Sequence, residues 1–347
     1  MNIVFVGHVD HGKSTLIGRL FYDTDSLPEG KLKELKEASE ALGKELEFGF
    51  ILDNLEEERE QGITIDTAQK FFKTNKRDYV IIDAPGHVEF VKNMITGASQ
   101  ADAAVLIVDA EEGVQEQTRR HAYILNLLGL NQVIAVVNKM DLINYEENRF
   151  NDVKKQITEF LDKINIHPSN IIPISSKEGD NIAKISEKMV WYKEKIFLEA
   201  LDLLKTKKEK QNQKLVFPIQ DVYNFDKRMF VGKIVSGKIK KDQEILILPS
   251  KETTKVKTIE IMDKEIEEAV SEQSIGITTQ DKLFIDRGNI VLDKNEKMLV
   301  TNKIRANIFW LDKEPYKKGE RILFRCSTQD SMCEIEEILK KINSTKM

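Results

Sequence analysis

The chain has 347 residues, 41% hydrophobic and 32% charged, a balance that suits a folded globular protein of two or three domains and excludes a disordered one. Its net charge of −5 excludes a global basic field for gripping nucleic acid, and no apolar run reaches the roughly 20 residues of a membrane span. Two cysteines, Cys326 and Cys333, cannot build a disulfide framework and fit a reducing compartment. A strand-like run, Asn2–Val6, opens the chain, so no removable leader is expected and the chain reads as cytoplasmic.

Short β-branched runs at Val4–Val6, Tyr79–Ile82, Ala103–Val108, Val133–Val137 and Ile171–Ile174 read as buried parallel strands. A helix over Thr15–Phe21 follows the first of them. Later, Phe150, Val153, Ile157, Phe160, Leu161 and Ile164 recur at helical spacing. This alternation predicts a doubly wound α/β domain with a mostly parallel sheet over residues 1–204. An insertion at 24–55 interrupts it, with an apolar helical face at Leu32, Leu35, Ala38 and Leu42. The polar run 205–214 reads as a solvated linker.

Beyond the linker the texture changes. Phe217–Val222, Phe230–Val235, Glu244–Leu248 and Val256–Ile261, with turns at Ser236-Gly237 and Pro249-Ser250, predict an all-β barrel over 215–297 whose last strand ends near Leu292. Residues 298–347 begin a partial third β unit, with strands expected at Ile304–Trp310 and Arg321–Cys326. Two strands cannot close a barrel. The expectation is a unit that is truncated or completed by a partner.

The chemistry concentrates at strand ends. Gly7-His8-Val9-Asp10-His11-Gly12-Lys13-Ser14 fits the phosphate-loop pattern between a strand and a helix that starts at Thr15. Its backbone N–H groups and the helix N-terminus suit phosphate oxygens, Lys13 suits the β/γ phosphates, and Ser14 can ligate Mg²⁺. Asp83-Ala84-Pro85-Gly86-His87 follows the second strand. Asp83 can hold a Mg²⁺-bound water, and the Gly86 N–H can meet a γ-phosphate. Asn138-Lys139-Met140-Asp141 follows the fourth, where Asp141 can accept from both N1–H and the 2-amino group of guanine. Ser175-Ser176-Lys177 follows the fifth, with backbone able to bond guanine O6. The nucleotide implied is GTP. Thr64, in Gly62-Ile63-Thr64, can join the Mg²⁺ shell only when a γ-phosphate is present, which makes its loop a sensor of hydrolysis.

Other candidates read as structural. His121, after two arginines on an expected helix, is expected to be capped or to face solvent. Trp191 and Tyr192 are expected to pack a helix, and Cys326 and Cys333 lack metal-ligand spacing.

On the phosphate loop, Gly62-Ile63-Thr64, Asp83–His87, Asn138–Asp141 and Ser175–Lys177, the first domain resembles a translation-factor-type GTPase, the class containing the elongation factors. That resemblance implies that His87 positions the attacking water, flanked by Val9 and Ile63. Within the class, Leu16-Ile17-Gly18-Arg19-Leu20, Glu58–Asp66, Gln117-Thr118-Arg119-Arg120-His121, Gly179-Asp180-Asn181 and Trp191-Tyr192 resemble the GTPase subunit of heterodimeric sulfate adenylyltransferase. So do Phe217-Pro218-Ile219-Gln220, Gly232 and Ser236-Gly237 in the barrel. This implies GTP hydrolysis with Mg²⁺, coupled to formation of adenylyl sulfate from ATP and sulfate by a separate, small adenylyltransferase subunit. His8 and His11 make the phosphate loop resemble an elongation factor's instead. An elongation-factor-like role and a stand-alone switch binding a protein effector are the alternatives.

Overall fold

The computed structural model describes residues 1–27, 30, 68–83, 91–205, 212–224, 227–262, 264–310, 312 and 314–341. Thr64, Gly86 and His87 lie outside them, as do the expected helical face at 32–42 and residues 206–211 of the expected linker. The chain divides into two compact units, the second spanning 207–341.

In the first unit the expected strands are present as β1 (Asn2–Gly7), β3 (Asp78–Asp83), β4 (Ala103–Asp109), β5 (Val133–Asn138) and β6 (Asn170–Pro173). All five run parallel, in the order β3-β1-β4-β5-β6. Every residue of β4 and β5 is buried, which explains their continuous apolar character. The helices are α1 (Lys13–Asp23), α2 (Val91–Ser99), α3 (Glu116–Leu127), α4 (Glu147–Lys163) and α5 (Phe197–Leu203). Leu16, Ile17 and Leu20 of α1 are fully buried, as are Val153 and Leu161 of α4. Trp191 and Tyr192 lie against Phe150 of α4 with ring centroids 5.3 and 6.3 Å away, so they pack a helix as expected.

One strand was not legible. β2 (Ala68–Lys73) adds antiparallel to β3 at the sheet edge. It carries lysines at 70 and 73, and Phe71 is exposed while Phe72 is buried. A half-exposed edge strand has no continuous apolar run to announce it.

The second unit is built on a curled β-sheet. Its strands are β7 (Val216–Pro218), β8 (Asp221–Asn224), β9 (Arg228–Lys233), β10 (Lys238–Lys240), β11 (Glu244–Leu248), β12 (Glu252–Ile261), β13 (Lys264–Ile266), β14 (Glu268–Val270), β15 (Ser274–Thr279) and β16 (Ile290–Asp293). The path β7-β16-β11-β12-β15-β9-β8 curls back on itself, with β10 and β14 pairing apart from it as a two-stranded ribbon. Val216 N–H donates to Ser236 O at 3.0 Å and Val235 N–H donates to Val216 O at 2.9 Å, so the chain beyond β9 meets β7. Phe217, Phe230, Ile245, Ile247, Ile259 and Ile277 fill the interior. This is the expected barrel, ending at Asp293. The expected single run Phe217–Val222 is two strands, β7 and β8.

In the third segment the reading of Ile304–Trp310 is corrected. The stretch is irregular, and Ile304 and Ile308 are exposed. Its β-like composition is a weak preference that needs a pairing strand, and among the described residues none pairs with it. β17 (Arg321–Cys326) and β18 (Gln329–Glu334) form an antiparallel hairpin, with Cys326 and Cys333 as free thiols.

Candidate functional site

Parallel strands place their carboxyl ends along one edge, and the register sets what meets there. Gly7 of β1 lies opposite Ile107, Phe5 opposite Asp83, and Asp109 of β4 opposite Asn138 of β5. The phosphate loop therefore emerges between Asp83 on one side and Asp109 with Asn138 on the other.

Within the loop, Asp10 and Gly12 take left-handed conformations, with φ of 62° and 88°. Alternation of this kind turns successive N–H groups inward, the concavity that binds anions. Gly12 caps α1 without a side-chain hydrogen bond. The unpaired N–H groups of the first turn, with Ser14 and Thr15 half-buried among them, open toward the loop. A side chain at Gly12 would strike the Asn138 amide, so the glycine is required by packing as well as by φ.

Lys13 is buried and donates to Gly7 O at 3.2 Å and His8 O at 3.0 Å. Burial pulls its ammonium down to about 8, while the Asp83 and Asp10 carboxylates pull the other way. A bound polyphosphate would favour the charged form further. The nucleotide-bound protein then holds more protons than the free protein at any pH above about 8, so affinity falls as pH rises through that value. GDP titrations between about pH 7 and pH 9 should show up to roughly tenfold weakening across the last unit, with proton uptake on binding. A flat profile would remove Lys13 from the phosphate contact.

Asn138 joins the two halves of the site. Its Nδ2 donates to His11 O at 2.8 Å, and its Oδ1 accepts from Ser176 N–H at 2.9 Å and Ser176 Oγ at 2.8 Å. The three residues are 1%, 0% and 2% exposed for Asn138, His11 and Ser176. Beside them, Asp141 accepts from Ser175 Oγ at 2.5 Å, and Ser175 Oγ in turn accepts Glu178 N–H at 3.2 Å. Asp141 is half-buried, with its carboxylate held at the rim. Lys177 is exposed.

His11 Nδ1 lies 3.2 Å from the Asp109 N–H and 3.4 Å from Ile107 O, and its Nε2 faces Glu112 Oε2 at 3.2 Å. Burial lowers its pKa, with Glu112 acting in the opposite sense. The ring links the phosphate loop to the end of β4.

Sequence reading missed Asp109. Only its place at the end of a buried strand could have signalled it. Its Oδ2 pairs with Lys139 Nζ at 2.8 Å and its Oδ1 accepts Glu111 N–H at 2.7 Å. Burial alone would raise this carboxyl, but Lys139 and the backbone donors hold it below the usual range. Lys139, with φ of 63°, is thereby held across the edge.

The expectation for His121 is corrected. It is 1% exposed, on the face of α3 packed under the phosphate loop. Burial first, then the positive charges of Lys13 and Arg120, push it down to about 3, so it stays neutral. The helix turns His121 inward and leaves Arg119 over the Phe160 ring at 5.6 Å.

A phosphate loop after β1, a carboxylate in Asn138-Lys139-Met140-Asp141 after β5 and a backbone loop after β6 together define a P-loop nucleotide-binding domain of the GTPase class. Residues 1–204 match the elongation factor Tu GTP binding domain, and residues 228–291 match elongation factor Tu domain 2. The chain belongs to this family of elongation factor Tu-type GTPases.

It is 40% identical to "Elongation factor 1-alpha" of Methanospirillum hungatei, over 99% of this chain and 83% of that protein. It is 37% identical to "Sulfate adenylyltransferase subunit 1" of Bacteroides thetaiotaomicron, over 100% of this chain and 73% of that protein. Identities this close do not choose between the two. Among solved structures, "Crystal Structure Analysis of sup35 complexed with GDP" shares 26% identity over 85% of this chain and 67% of its own, at a TM-score of 0.44, too loose a likeness to add to the assignment. Among the described residues, no helix is long and apolar enough to cross a membrane.

Proposed function

We propose that this chain binds GTP with Mg²⁺ at the β-strand edge and hydrolyses it, and that hydrolysis drives a separate adenylyltransferase subunit that joins ATP and sulfate. The observation that carries the nucleotide assignment is the Asn138 amide. It ties the carbonyl of His11, in the phosphate loop, to Ser176, in the guanine loop, so one side chain sets the distance between the two halves of a ligand. Lys13 neutralises phosphoryl charge, Asp141 reads guanine, and His87 orients the water. Ser14, in the first turn of α1, and Asp83, at the end of β3, supply hard oxygen donors, which fits Mg²⁺, with Asp83 acting through water and Thr64 completing the set. When bound, the ion offsets charge that builds on the β and γ phosphates.

The sulfate reading is supported by the run Leu16–Leu20 and the stretches beyond it that resemble the sulfate-activating GTPase subunit, and by the relative of that name. Adenylyl sulfate formation runs uphill from ATP and sulfate, so a coupled hydrolysis has a purpose there. The elongation-factor reading is favoured by His8 and His11, which make the phosphate loop resemble an elongation factor's, and His11 is held in that loop against Asp109 N–H and Glu112.

The experiment measures GTP turnover with each component omitted in turn. Turnover should be slow alone and faster only when the adenylyltransferase small subunit, ATP and sulfate are all present. Lys13→Ala should abolish the GTP effect and leave the partner's basal adenylyl transfer. Stimulation by ribosomes without any response to the sulfate system would transfer the assignment to translation.

A further inference from the structure

We propose that Arg19 is a positioning residue for the base, holding the guanine loop to the helix that begins at the phosphate loop. This rests on the guanine reading of Asp141 and Ser175–Lys177.

Arg19 lies in the second turn of α1. Its Nε donates to Asp23 Oδ1 at 3.0 Å, an i,i+4 pair that by itself would be an ordinary helix-surface contact of little energetic weight. The other end of the guanidinium does something different. Nη1 donates to the carbonyl of Lys177 at 3.1 Å, a residue 158 positions away and the last of the three that face the base. The Tyr22 ring lies 5.5 Å from the guanidinium carbon and limits its swing.

The loop is shaped to receive this group. Gly179 N–H donates to Ser175 O at 2.8 Å and Ser175 N–H to Asp180 O at 3.2 Å, closing a tight turn. Gly179 has φ of 85°, and any side chain there would collide with the Arg19 guanidinium. Two independent features, a backbone carbonyl and a missing Cβ, therefore accommodate one side chain.

The consequence concerns which part of guanine is read. Asp141 is fixed by Ser175 Oγ, within the loop, and serves N1–H and the 2-amino group. The backbone of 175–177 serves O6, and Arg19 fixes that backbone from its far end. Removing Arg19 leaves Ser175 bonded to Asp141 and Ser176 bonded to Asn138, and frees the Lys177 end of the O6-reading segment to shift. Arginine is needed because its fork reaches Asp23 and Lys177 O together, which a single ammonium cannot do.

The test compares GDP with 6-thio-GDP on the full chain by calorimetry. The analogue keeps N1–H and the 2-amino group and replaces only O6, with sulfur a weak acceptor. Wild type should prefer GDP. Arg19→Ala should lose GDP affinity by about tenfold and lose much less for 6-thio-GDP, so the preference collapses. Arg19→Lys, which keeps the charge and the Asp23 pair, should show the same selective loss. Equal losses for both nucleotides, or none, would overturn the proposal, since a purely structural arginine would weaken both alike. A wild type with no preference for GDP would overturn the O6 reading of residues 175–177 and with it the proposal, leaving the Asp141 contact to N1–H and the 2-amino group to its own test.

Discussion

Asp141→Asn should lower affinity for guanine nucleotides by on the order of 10⁴-fold and restore part of it for xanthosine nucleotides, because a site built to pair buried polar groups rejects the ligand that leaves them mismatched. The structure says how the amide would sit. Ser175 Oγ accepts Glu178 N–H, so its own proton goes to Asp141 Oδ1 at 2.5 Å. In the variant the amide oxygen is held toward Ser175, and the NH₂ group takes the place of the second carboxylate oxygen. It then meets the 2-amino group of guanine donor to donor. Xanthine presents a carbonyl there and accepts. Titration with GDP and with xanthosine diphosphate reads the switch directly. An unchanged preference for GDP would remove Asp141 from the base.

Asn138→Ala should cost the first domain about 2–4 kcal/mol, because it strands the buried carbonyl of His11 and the N–H and hydroxyl of Ser176 at once. For a domain of this size that is a fall of roughly 5–15 °C in its melting transition. The same substitution should weaken GDP binding more than loss of stability alone requires, since the phosphate and guanine loops are no longer spaced by one amide. The comparison is thermal melting of the apo and GDP-saturated variant against wild type. Stabilisation by GDP equal to that of wild type would show that the bridge supports the fold without shaping the site.

The network around Asn138 separates what is readable from what is not. Each tetrapeptide of the site has its own local signature: glycines where the backbone must turn, a lysine and a hydroxyl behind them, and a carboxylate after an apolar run. These signatures follow from chain-local needs, and the position of each after a strand gave the α/β class. The strands of the central sheet were legible for the same reason, because burial on both faces writes an unbroken apolar run. β2 was hidden because only one of its faces is covered. Ile304–Trp310 looked like a strand because composition reports preference and cannot report whether a pairing partner exists.

His121 and Asp109 show the other limit. Both are polar residues whose role depends on what packs against them, and no spacing rule gives the rotation of α3 or the side of β4 that meets Lys139. The same holds for Arg19, whose Asp23 partner is visible at four residues' spacing while its Lys177 partner is not.

By itself, the sequence determined the fold class, the barrel that follows, and the residue types able to meet phosphate and guanine, because these rest on periodicity and on local backbone demands. Only the tertiary structure decided that Asn138 bridges two loops, that His11 is buried against Ile107, Asp109 and Glu112, that His121 is sealed from water and that Arg19 reaches the guanine loop. Those facts depend on strand register and helix rotation, which bring together residues up to 158 positions apart, and a one-dimensional pattern carries no record of that distance.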